Sequence, residues 1–412
     1  MTEPLFPKSM ALFERARRVI PAGIYGHTTP AQLVPIEFPY YATRAEGCRY
    51  RDADGREYLD FLCSYGPIVL GHQHPEVEEA AERQRRDGDC FNHPSALMVE
   101  LAERLVSLVD FADWCVFGKN GSDMTTWAVQ VAREFTGRKK VLRARQSYHG
   151  SHAWCTPGHG GLIEEDRMHV HDFVWNDLGT LEDLVRQHRD QVAAIITTPF
   201  LHPSFADSVL PAEGFLQNMQ AICHKHGIVL ILDDIRAGFR LHLGGSHRYF
   251  GFEPDITCFS KALGNGYPIS AALGREELRV AASRVFLTGS FWHSAVPMAA
   301  ALTCLQILER DDAVAKMQKL GKLLLNGLEQ RAARHGLQVR GSGPPSLPLM
   351  RFSNETNLFR QQRFCAETVR RGVFFHPHHN WFMSAAMSEA DIEYALAVAD
   401  EAFAVVRAEF GN

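Results

Sequence analysis

Several features that would place this chain in a special class are missing from its sequence. No apolar run approaches the roughly 20 residues that cross a bilayer, so the sequence predicts no membrane-spanning helix. A net charge of -5 at pH 7 gives no basis for binding nucleic acid or an anionic membrane. The first 23 residues carry scattered charges and no apolar signal core, and no internal repeat or low-complexity tract follows. We therefore expect a globular protein that is not exported.

Cysteine is present, but not in a pattern that would build a scaffold. The nine cysteines are odd in number, widely spaced and never form a C-x-x-C pair. This pattern argues against a disulfide framework and against a zinc ribbon, and it favours a reducing cytoplasm. The hydrophobic content of 46% and charged content of 22% are ordinary, and 412 residues suffice for two domains.

The middle of the chain alternates between short apolar runs and helical patterns. Four apolar runs have the composition of buried strands: 192–200, 228–234, 255–260 and 268–274. A helix that ends in glycine is expected at 212–227. This alternation predicts an α/β fold with a mainly parallel sheet. An N-terminal helix and a hairpin turning at Asp54-Gly55 precede it, and a helix-rich region follows. We predict a large domain of residues 61–300 and a smaller one built from 1–60 and 301–412.

One lysine stands in unusual surroundings. Lys261 lies in "CFSKALGNGYP" (258–268), a run of small, apolar and glycine residues. The ordinary interpretation is an exposed loop lysine, since lysine is rarely buried unless it is paired. The alternative is a lysine that desolvation keeps near neutrality, so that it acts as a nucleophile and a proton carrier.

Three further signals, each weak alone, agree with that alternative. Asp233 ends the most apolar strand, where its carboxylate can hold a protonated ring nitrogen or simply cap a turn. The glycine-rich segment before the helix at 118–137 suits a phosphate, although Ser122 and Asp123 are also ordinary helix caps. Tyr148, after another strand, can cover a planar ring or pack in the core. Pyridoxal phosphate (PLP) has the aldehyde, ring nitrogen and phosphate that these residues require, with Lys261 as its Schiff-base partner.

These motifs resemble the class III aminotransferases of the fold-type I PLP enzymes, most closely the branch that contains glutamate-1-semialdehyde aminomutase. The similarity covers nearly the whole chain, and its motifs are 44–77, "NGSDM" (120–124), "YHG" (148–150), "DDIRAGFR" (233–240), "PDITCFSKALGNGYP" (254–268) and "TGSFWHSAVPMAAA" (288–301). It implies a seven-stranded sheet in the large domain, a smaller α+β domain made from both chain ends, and a homodimer with active sites at the interface. The cofactor contacts that it implies are Gly121, Ser122, Tyr148, Asp233, Ile235, Lys261 and, reaching the neighbouring subunit's phosphate, Ser290.

The departures from that branch bear on the substrate. The segment "PAGIYGHTTPAQL" (21–33) lacks the arginine expected to hold a substrate carboxylate, and Thr198 replaces a common glutamate. His293 and Ser294 replace a glycine and an asparagine, and the serine- and proline-rich gating loop is unrecognisable at 155–173. Losing a cation removes part of the charge-assisted grip on carboxylates. These changes argue against mutase activity and favour an amine donor without an α-carboxylate.

Other residues are candidates for the substrate pocket. Arg236 is expected near the ring, where it contacts a phenolic oxygen or an acceptor carboxylate, or instead pairs with Asp234. Tyr65, Trp292 and Phe375 are aromatic candidates, with core packing as the alternative. The histidine groups at 149–152 and 376–380 lack the spacing of a zinc site, so we predict no metal.

The sequence thus predicts a PLP-dependent aminotransferase with a ping-pong cycle, an amine or ω-/β-amino donor and an oxo-acid acceptor such as pyruvate. Three alternatives stay open. An aminomutase or epimerase would use the same residues without a second substrate. A non-catalytic sensor would share the fold, and a metal-dependent hydrolase would use the histidines.

Overall fold

The computed structural model describes residues 5–24 and 29–411, which divide into two units. The first unit contains the described residues up to His74, the short segment His202–Ser208 and the chain from Ala315 onward. The second contains Pro75–Leu201 and Val209–Val314. Both chain ends therefore belong to one unit. The division falls after His74 and Val314, and the short segment His202–Ser208 belongs with the chain ends. The domain boundaries at 60 and 300 stay predictions.

The strands are short, and most lie in the second unit. In chain order they are β1 (Ala42–Glu46), β2 (Arg49–Asp52), β3 (Glu57–Asp60), β4 (Trp114–Gly118), β5 (Lys140–Ala144), β6 (Val170–Phe173), β7 (Val192–Thr197), β8 (Val229–Asp233), β9 (Ile256–Phe259), β10 (Ser270–Gly274), β11 (Val339–Ser342), β12 (Leu349–Phe352) and β13 (Val373–Phe374).

The helices alternate with the strands of the second unit and dominate the end of the chain. They are α1 (Pro7–Ala16), α2 (Pro30–Leu33), α3 (Pro75–Asp87), α4 (Ala96–Leu108), α5 (Gly121–Thr136), α6 (Leu178–Gln187), α7 (Phe215–His226), α8 (Ser246–Phe250), α9 (Arg279–Arg284), α10 (Ala295–Arg310), α11 (Ala313–Arg334), α12 (Phe359–Arg370) and α13 (Glu389–Phe410). In the described part of the chain, no helix is both long enough and apolar enough to cross a membrane.

The second unit is organised around the predicted seven-stranded sheet. Its strand order is β4-β10-β9-β8-β7-β5-β6. The neighbours from β9 to β6 pair in parallel, whereas β10 is antiparallel to both β9 and β4. The expectation of a mainly parallel α/β sheet is confirmed. The reversed direction of β10 was not visible in its apolar sequence, because burial on both faces gives parallel and antiparallel strands the same composition.

Strand β8 shows how the sheet positions chemistry. Val229 and Ile231 pack with residues of α5 on one face, and Leu230 and Leu232 pack with residues of α7 on the other. Because side chains alternate along a strand, Asp233 continues the face that carries α5. The carboxylate thus emerges at the carboxyl end of the strand, on the same side of the sheet as that helix.

Helix α5 begins and ends as its sequence predicts. The backbone N–H of Asn120 donates to Asp123 Oδ2 at 2.9 Å, which fixes the turn at the start of the helix. Gly137 ends the helix in the left-handed conformation, with φ of 68°. The first turn of α5 therefore carries the backbone N–H groups of a helix start and the positive end of the helix dipole.

The first unit is built on the predicted hairpin. Strands β2 and β3 pair antiparallel around Asp54-Gly55, and β13 adds in parallel beside β3. Asp52 Oδ1 accepts backbone N–H groups of Asp54 and Arg56, each at 2.9 Å, which stabilises the turn. The Phe205 N–H donates to the His378 carbonyl at 2.9 Å, so the 202–208 segment is held by the C-terminal part of this unit.

Candidate active site

Lys261 lies at the carboxyl end of β9, in a strained backbone position. It opens a short 3-10 turn, Lys261–Gly264, and its φ is +47°. A positive φ is uncommon for a residue other than glycine and persists where the surroundings determine it. The Ser260 hydroxyl donates to the Ile269 carbonyl at 2.9 Å, and Ala262 and Leu263 are fully buried. The turn is therefore anchored on both sides of the lysine.

The electrostatics of Lys261 match the alternative interpretation, in which desolvation keeps the lysine near neutrality. Burial lowers its pKa to about 7; the charges of Arg236 and Arg240 act in the same direction, and Asp233 opposes them. At neutral pH a large fraction of this amine is unprotonated, which a nucleophile and proton carrier requires.

Asp233 is buried and paired with a histidine that the sequence analysis did not assign to it. His149 Nδ1 lies 2.8 Å from Asp233 Oδ2, and the Ile235 N–H donates to Asp233 Oδ1 at 3.3 Å. The carboxylate accepts a hydrogen from Nδ1, so Nδ1 carries the proton. His149 is itself fixed, because its carbonyl accepts a bond from the Thr125 hydroxyl at 2.7 Å and its ring lies parallel to Trp154. Two donors thus hold this buried carboxylate in place.

The start of α5 forms a narrow cradle close to these residues. A Cβ added to Gly121 would lie 2.5 Å from Ile235 Cδ1, so a larger residue at this place would push the Ile235 side chain aside. The Ser122 hydroxyl lies in the same turn, beside Ser151, whose N–H donates to Ser122 Oγ at 3.0 Å. Backbone N–H groups and a hydroxyl at a helix N-terminus are the donors that a phosphate uses.

The residues present fit PLP. A lysine with a pKa near 7, a buried carboxylate with fixed partners and a helix start with a glycine cradle correspond to its aldehyde, its ring nitrogen and its phosphate. The sequence profile of the class III aminotransferases matches residues 34–388. The chain belongs to this family.

Relatives with assigned activities span almost the whole chain. An aminopentol aminotransferase of Sphingopyxis macrogoltabida is 42% identical over 97% of this chain and 95% of its own. A 3-aminobutyryl-CoA aminotransferase of Cloacimonas acidaminovorans is 34% identical over 97% of each chain, and a glutamate-1-semialdehyde 2,1-aminomutase of Syntrophobacter fumaroxidans is 31% identical over 97% and 98%. The solved PLP form of the FumI protein from Sphingopyxis sp. MTA144 superposes with a TM-score of 0.96, at 42% identity over 98% of both chains. This class III aminotransferase is a PLP-dependent enzyme, and the resemblance to the aminomutase branch is confirmed.

Other predicted residues of the aminotransferase lie in the same unit. Tyr148 is partly buried, and burial raises the pKa of its hydroxyl. Arg236 is partly buried; burial lowers its pKa to about 10, while Asp233 and Tyr148 act in the opposite direction. The carboxylate that acts on Arg236 is therefore Asp233, not Asp234, whose Oδ2 accepts the Ser246 N–H at 2.7 Å.

Ser290 and Trp292 belong to one loop of this unit. Ser290 is exposed, and the neighbouring Phe291 exposes 65% of its surface. The Trp292 N–H donates to the Gly289 carbonyl at 3.0 Å, and its partly buried ring packs against the core on the α5 side of the sheet. The roles assigned to both residues stay predictions.

The pocket candidates Tyr65 and Phe375 lie in the first unit. Tyr65 has φ of +63° in a turn whose two preceding residues, Cys63 and Ser64, also have positive φ, and its ring contacts His376 and His379 edge-on. Phe375 is fully buried and stacks on Trp381 with ring centroids 4.1 Å apart. Their roles as pocket residues stay predictions too.

The segments in which the sequence departs from the aminomutase branch differ in their structural surroundings. Tyr25–Thr28, in the segment that lacks an arginine, lies outside the described residues. Thr198 is buried, and its hydroxyl donates to the Phe200 carbonyl at 2.8 Å. In the 155–173 region Arg167 donates to the carbonyls of Thr156 and Gly158, the latter at 2.7 Å. One guanidinium thus organises the backbone of this loop.

The lowered pKa of Lys261 makes a prediction about pH. Only the unprotonated amine attacks an aldehyde, so the rate at which the cofactor-free aminotransferase captures PLP should rise about tenfold per pH unit below pH 7 and level off above it. The appearance of the visible absorption band of the bound cofactor measures this rate. A rate that keeps rising tenfold per unit from pH 7 to 9 would show that the lysine titrates near its ordinary value.

Proposed function

We propose that this aminotransferase transfers an amino group from an amine without an α-carboxylate to an oxo acid, by a ping-pong mechanism. The observation that supports this proposal most directly is which arginine charges act on Lys261 and which of those arginines is exposed. Arg236 and Arg240 are the arginines whose charges act on its pKa. Arg240 is fully buried and Arg236 is partly exposed, so Arg236 is the one that a substrate carboxylate can reach.

Among the described residues, Arg236 is the partly exposed arginine whose charge acts on Lys261, which suits a cycle in which only one substrate carries a carboxylate. The acceptor is then an oxo acid such as pyruvate, held by Arg236 through charge-assisted hydrogen bonds. The donor needs no such anchor. In support, the relatives named for aminopentol and for 3-aminobutyryl-CoA act, by those names, on an amino alcohol and on a thioester with its amino group at carbon 3.

The residues have separable tasks in this cycle. When bound, PLP supplies an aldehyde that takes up the amino group and a protonated ring that accepts the electrons of the broken C–H bond. Lys261 Nζ would hold the cofactor, and when free it would carry a proton to and from the substrate carbon. Asp233, oriented by His149, keeps the ring nitrogen protonated. Gly121 and Ser122 would hold the phosphate, and Tyr148 and Ile235 would contact the ring.

We also propose a homodimer in which Ser290 reaches the neighbouring subunit's phosphate. The exposure of Phe286 and Phe291 on either side of Ser290, 85% and 65%, supports this, because exposed aromatic side chains are a common feature of interfaces. Light scattering that gave a monomer mass for the active enzyme would contradict it. The scattered cysteines support a reducing cytoplasm as its location.

A substrate panel tests the proposed function. Amines, ω- and β-amino acids and α-amino acids are supplied as donors, with pyruvate or 2-oxoglutarate as acceptor, while the visible spectrum of the cofactor is followed. We expect amines without an α-carboxylate to bleach the resting band fastest. Replacing Arg236 by glutamine should raise the acceptor KM about 10- to 100-fold, the worth of a charge-assisted hydrogen bond, and leave the donor half-reaction within about threefold.

The controls separate the alternatives. Arg167→Gln removes an arginine of the same unit that bonds only loop groups in the described structure. The acceptor KM of this variant should therefore equal that of the wild type. An Arg236→Gln enzyme with an unchanged acceptor KM and an altered resting spectrum would place this arginine on the cofactor instead. Turnover of a single amino substrate without any acceptor would replace transamination by mutase or epimerase activity.

A further inference from the structure

The segment after Tyr148 passes unusually close to the predicted phosphate residue Ser122. A Cβ added to Gly150 would lie 2.5 Å from Ser122 Oγ and 2.9 Å from Ser122 Cβ. Real Cβ atoms do not approach side chains so closely, and the φ of +125° at Gly150 is also unfavourable for any other residue. Both its φ and the closeness of Ser122 therefore require glycine at this position.

The same segment bonds directly to the first turn of α5. The Ser151 N–H donates to Ser122 Oγ at 3.0 Å, and the Thr125 hydroxyl donates to the His149 carbonyl at 2.7 Å. These bonds lie on either side of Gly150, so its backbone is held against Ser122. Ser151 lies 29 positions after Ser122 in the chain, in the segment that follows β5, so this bond joins two different elements.

The bond from Ser151 constrains what the Ser122 hydroxyl does. A serine hydroxyl has one hydrogen to donate and two lone pairs that accept. The Ser151 hydroxyl also lies 3.5 Å from Ser122 Oγ, and either oxygen can donate in that contact. When the Ser151 N–H occupies one lone pair of Ser122 Oγ and the Ser151 hydroxyl donates to the other, the Ser122 hydroxyl hydrogen points away from both and serves a phosphate. A dianionic phosphate accepts hydrogen bonds and donates none, so this polarity is the one it needs.

We propose that Gly150 and Ser151 are positioning residues for the cofactor's phosphate, acting through Ser122. Gly150 permits the close approach, and the Ser151 N–H turns the Ser122 hydroxyl into an oriented donor. The inference rests on the proposed function, in which Ser122 binds the phosphate. It adds that the segment carrying Tyr148 and His149 sets the geometry of the phosphate site as well.

A mutant cycle on the full-length enzyme tests the inference. Gly150→Ala, Ser122→Gly and the double variant are prepared, and the dissociation constant of PLP is measured by equilibrium dialysis of the holoenzyme. Gly150→Ala and Ser122→Gly should each weaken PLP binding about 10- to 100-fold, the loss expected for a hydrogen bond to a charged group. The double variant should bind PLP within about threefold of Ser122→Gly, because the two closest atoms, Ser122 Oγ and Cβ, are then gone and only its Cα lies near the added methyl group, at 3.0 Å. The phosphorus NMR shift of bound PLP should move by the same amount in all three.

Matched controls separate positioning from folding. Gly137→Ala places a Cβ on another positive-φ glycine, at the far end of the same helix, where nothing lies within 4 Å. Its PLP dissociation constant should equal that of the wild type. Pyridoxal, which lacks the phosphate, should bind Gly150→Ala and the wild type with affinities within about threefold, since the lost contact is to the phosphate alone. If Gly150→Ala does not fold, the double variant is compared with Ser122→Gly directly.

The outcomes distinguish the role of Ser122 at the phosphate from the positioning role of Gly150. A Ser122→Gly enzyme that binds PLP as the wild type does would overturn the phosphate role of Ser122 and, with it, the inference. A weakened Ser122→Gly enzyme in which Gly150→Ala causes a further tenfold loss would leave that role standing and overturn the positioning by Gly150. Equal affinities of Ser122→Gly and the double variant support it.

Discussion

Replacing Lys261 by alanine is expected to lower the rate of amino-group transfer by about 10²- to 10⁴-fold, the usual contribution of a positioned acid–base group. The physical reason is that burial keeps this amine largely unprotonated near pH 7, and an alanine neither captures the aldehyde nor moves the proton. Single-turnover mixing of the donor with the cofactor-loaded variant measures the loss. Borohydride reduction followed by peptide mass spectrometry should label the wild type at Lys261 and leave the variant unlabelled.

A second lysine of the same unit is a matched control. Lys119 is partly buried, and burial lowers its pKa as well, while Asp89 and Cys90 oppose the shift. Lys119→Ala should retain the borohydride label at Lys261 and a rate within about threefold of the wild type. A Lys261→Ala enzyme that still transferred amino groups within tenfold of the wild-type rate would remove the lysine from the mechanism.

Replacing Asp233 by asparagine is expected to lower the rate by about 10²- to 10³-fold, the scale of a lost electrostatic contact in an enclosed site. The amide has the same shape and its oxygen still accepts from His149 Nδ1, which lies 2.8 Å away in the native enzyme. It carries no charge, so nothing holds the proton on the ring nitrogen. The first half-reaction should slow, and the resting absorption band of the cofactor should shift.

The neighbouring aspartate provides the comparison. Burial raises the pKa of Asp234 to about 7, so an amide at this place resembles the neutral acid that is already partly present at neutral pH. Asp234→Asn retains the oxygen that accepts the Ser246 N–H and should keep both the rate and the spectrum close to wild type below pH 7. Equal losses in the two variants would mean that Asp233 acts only by holding the fold.

Much of the structure of the aminotransferase could be predicted from local sequence patterns. Apolar run lengths located β7, β8 and β9 to within a few residues, because a strand covered on both faces admits little except aliphatic side chains. The hairpin at Asp54-Gly55 and the helix after Gly121 followed from turn and capping residues, which act over a few positions. Lys261 and Asp233 were singled out because a charged residue beside a buried strand requires a chemical reason.

The sequence by itself determined the cofactor and the family, because each depends on short motifs with their own physical requirements, and it predicted which residues meet the reactive atoms. Only the tertiary structure decided that His149 holds Asp233 across 84 positions, that Gly150 lies against Ser122, and that β10 runs against its neighbours. Such contacts join segments that are far apart in the chain. No local spacing encodes them, because they arise from the way a twisted sheet brings the ends of its strands together.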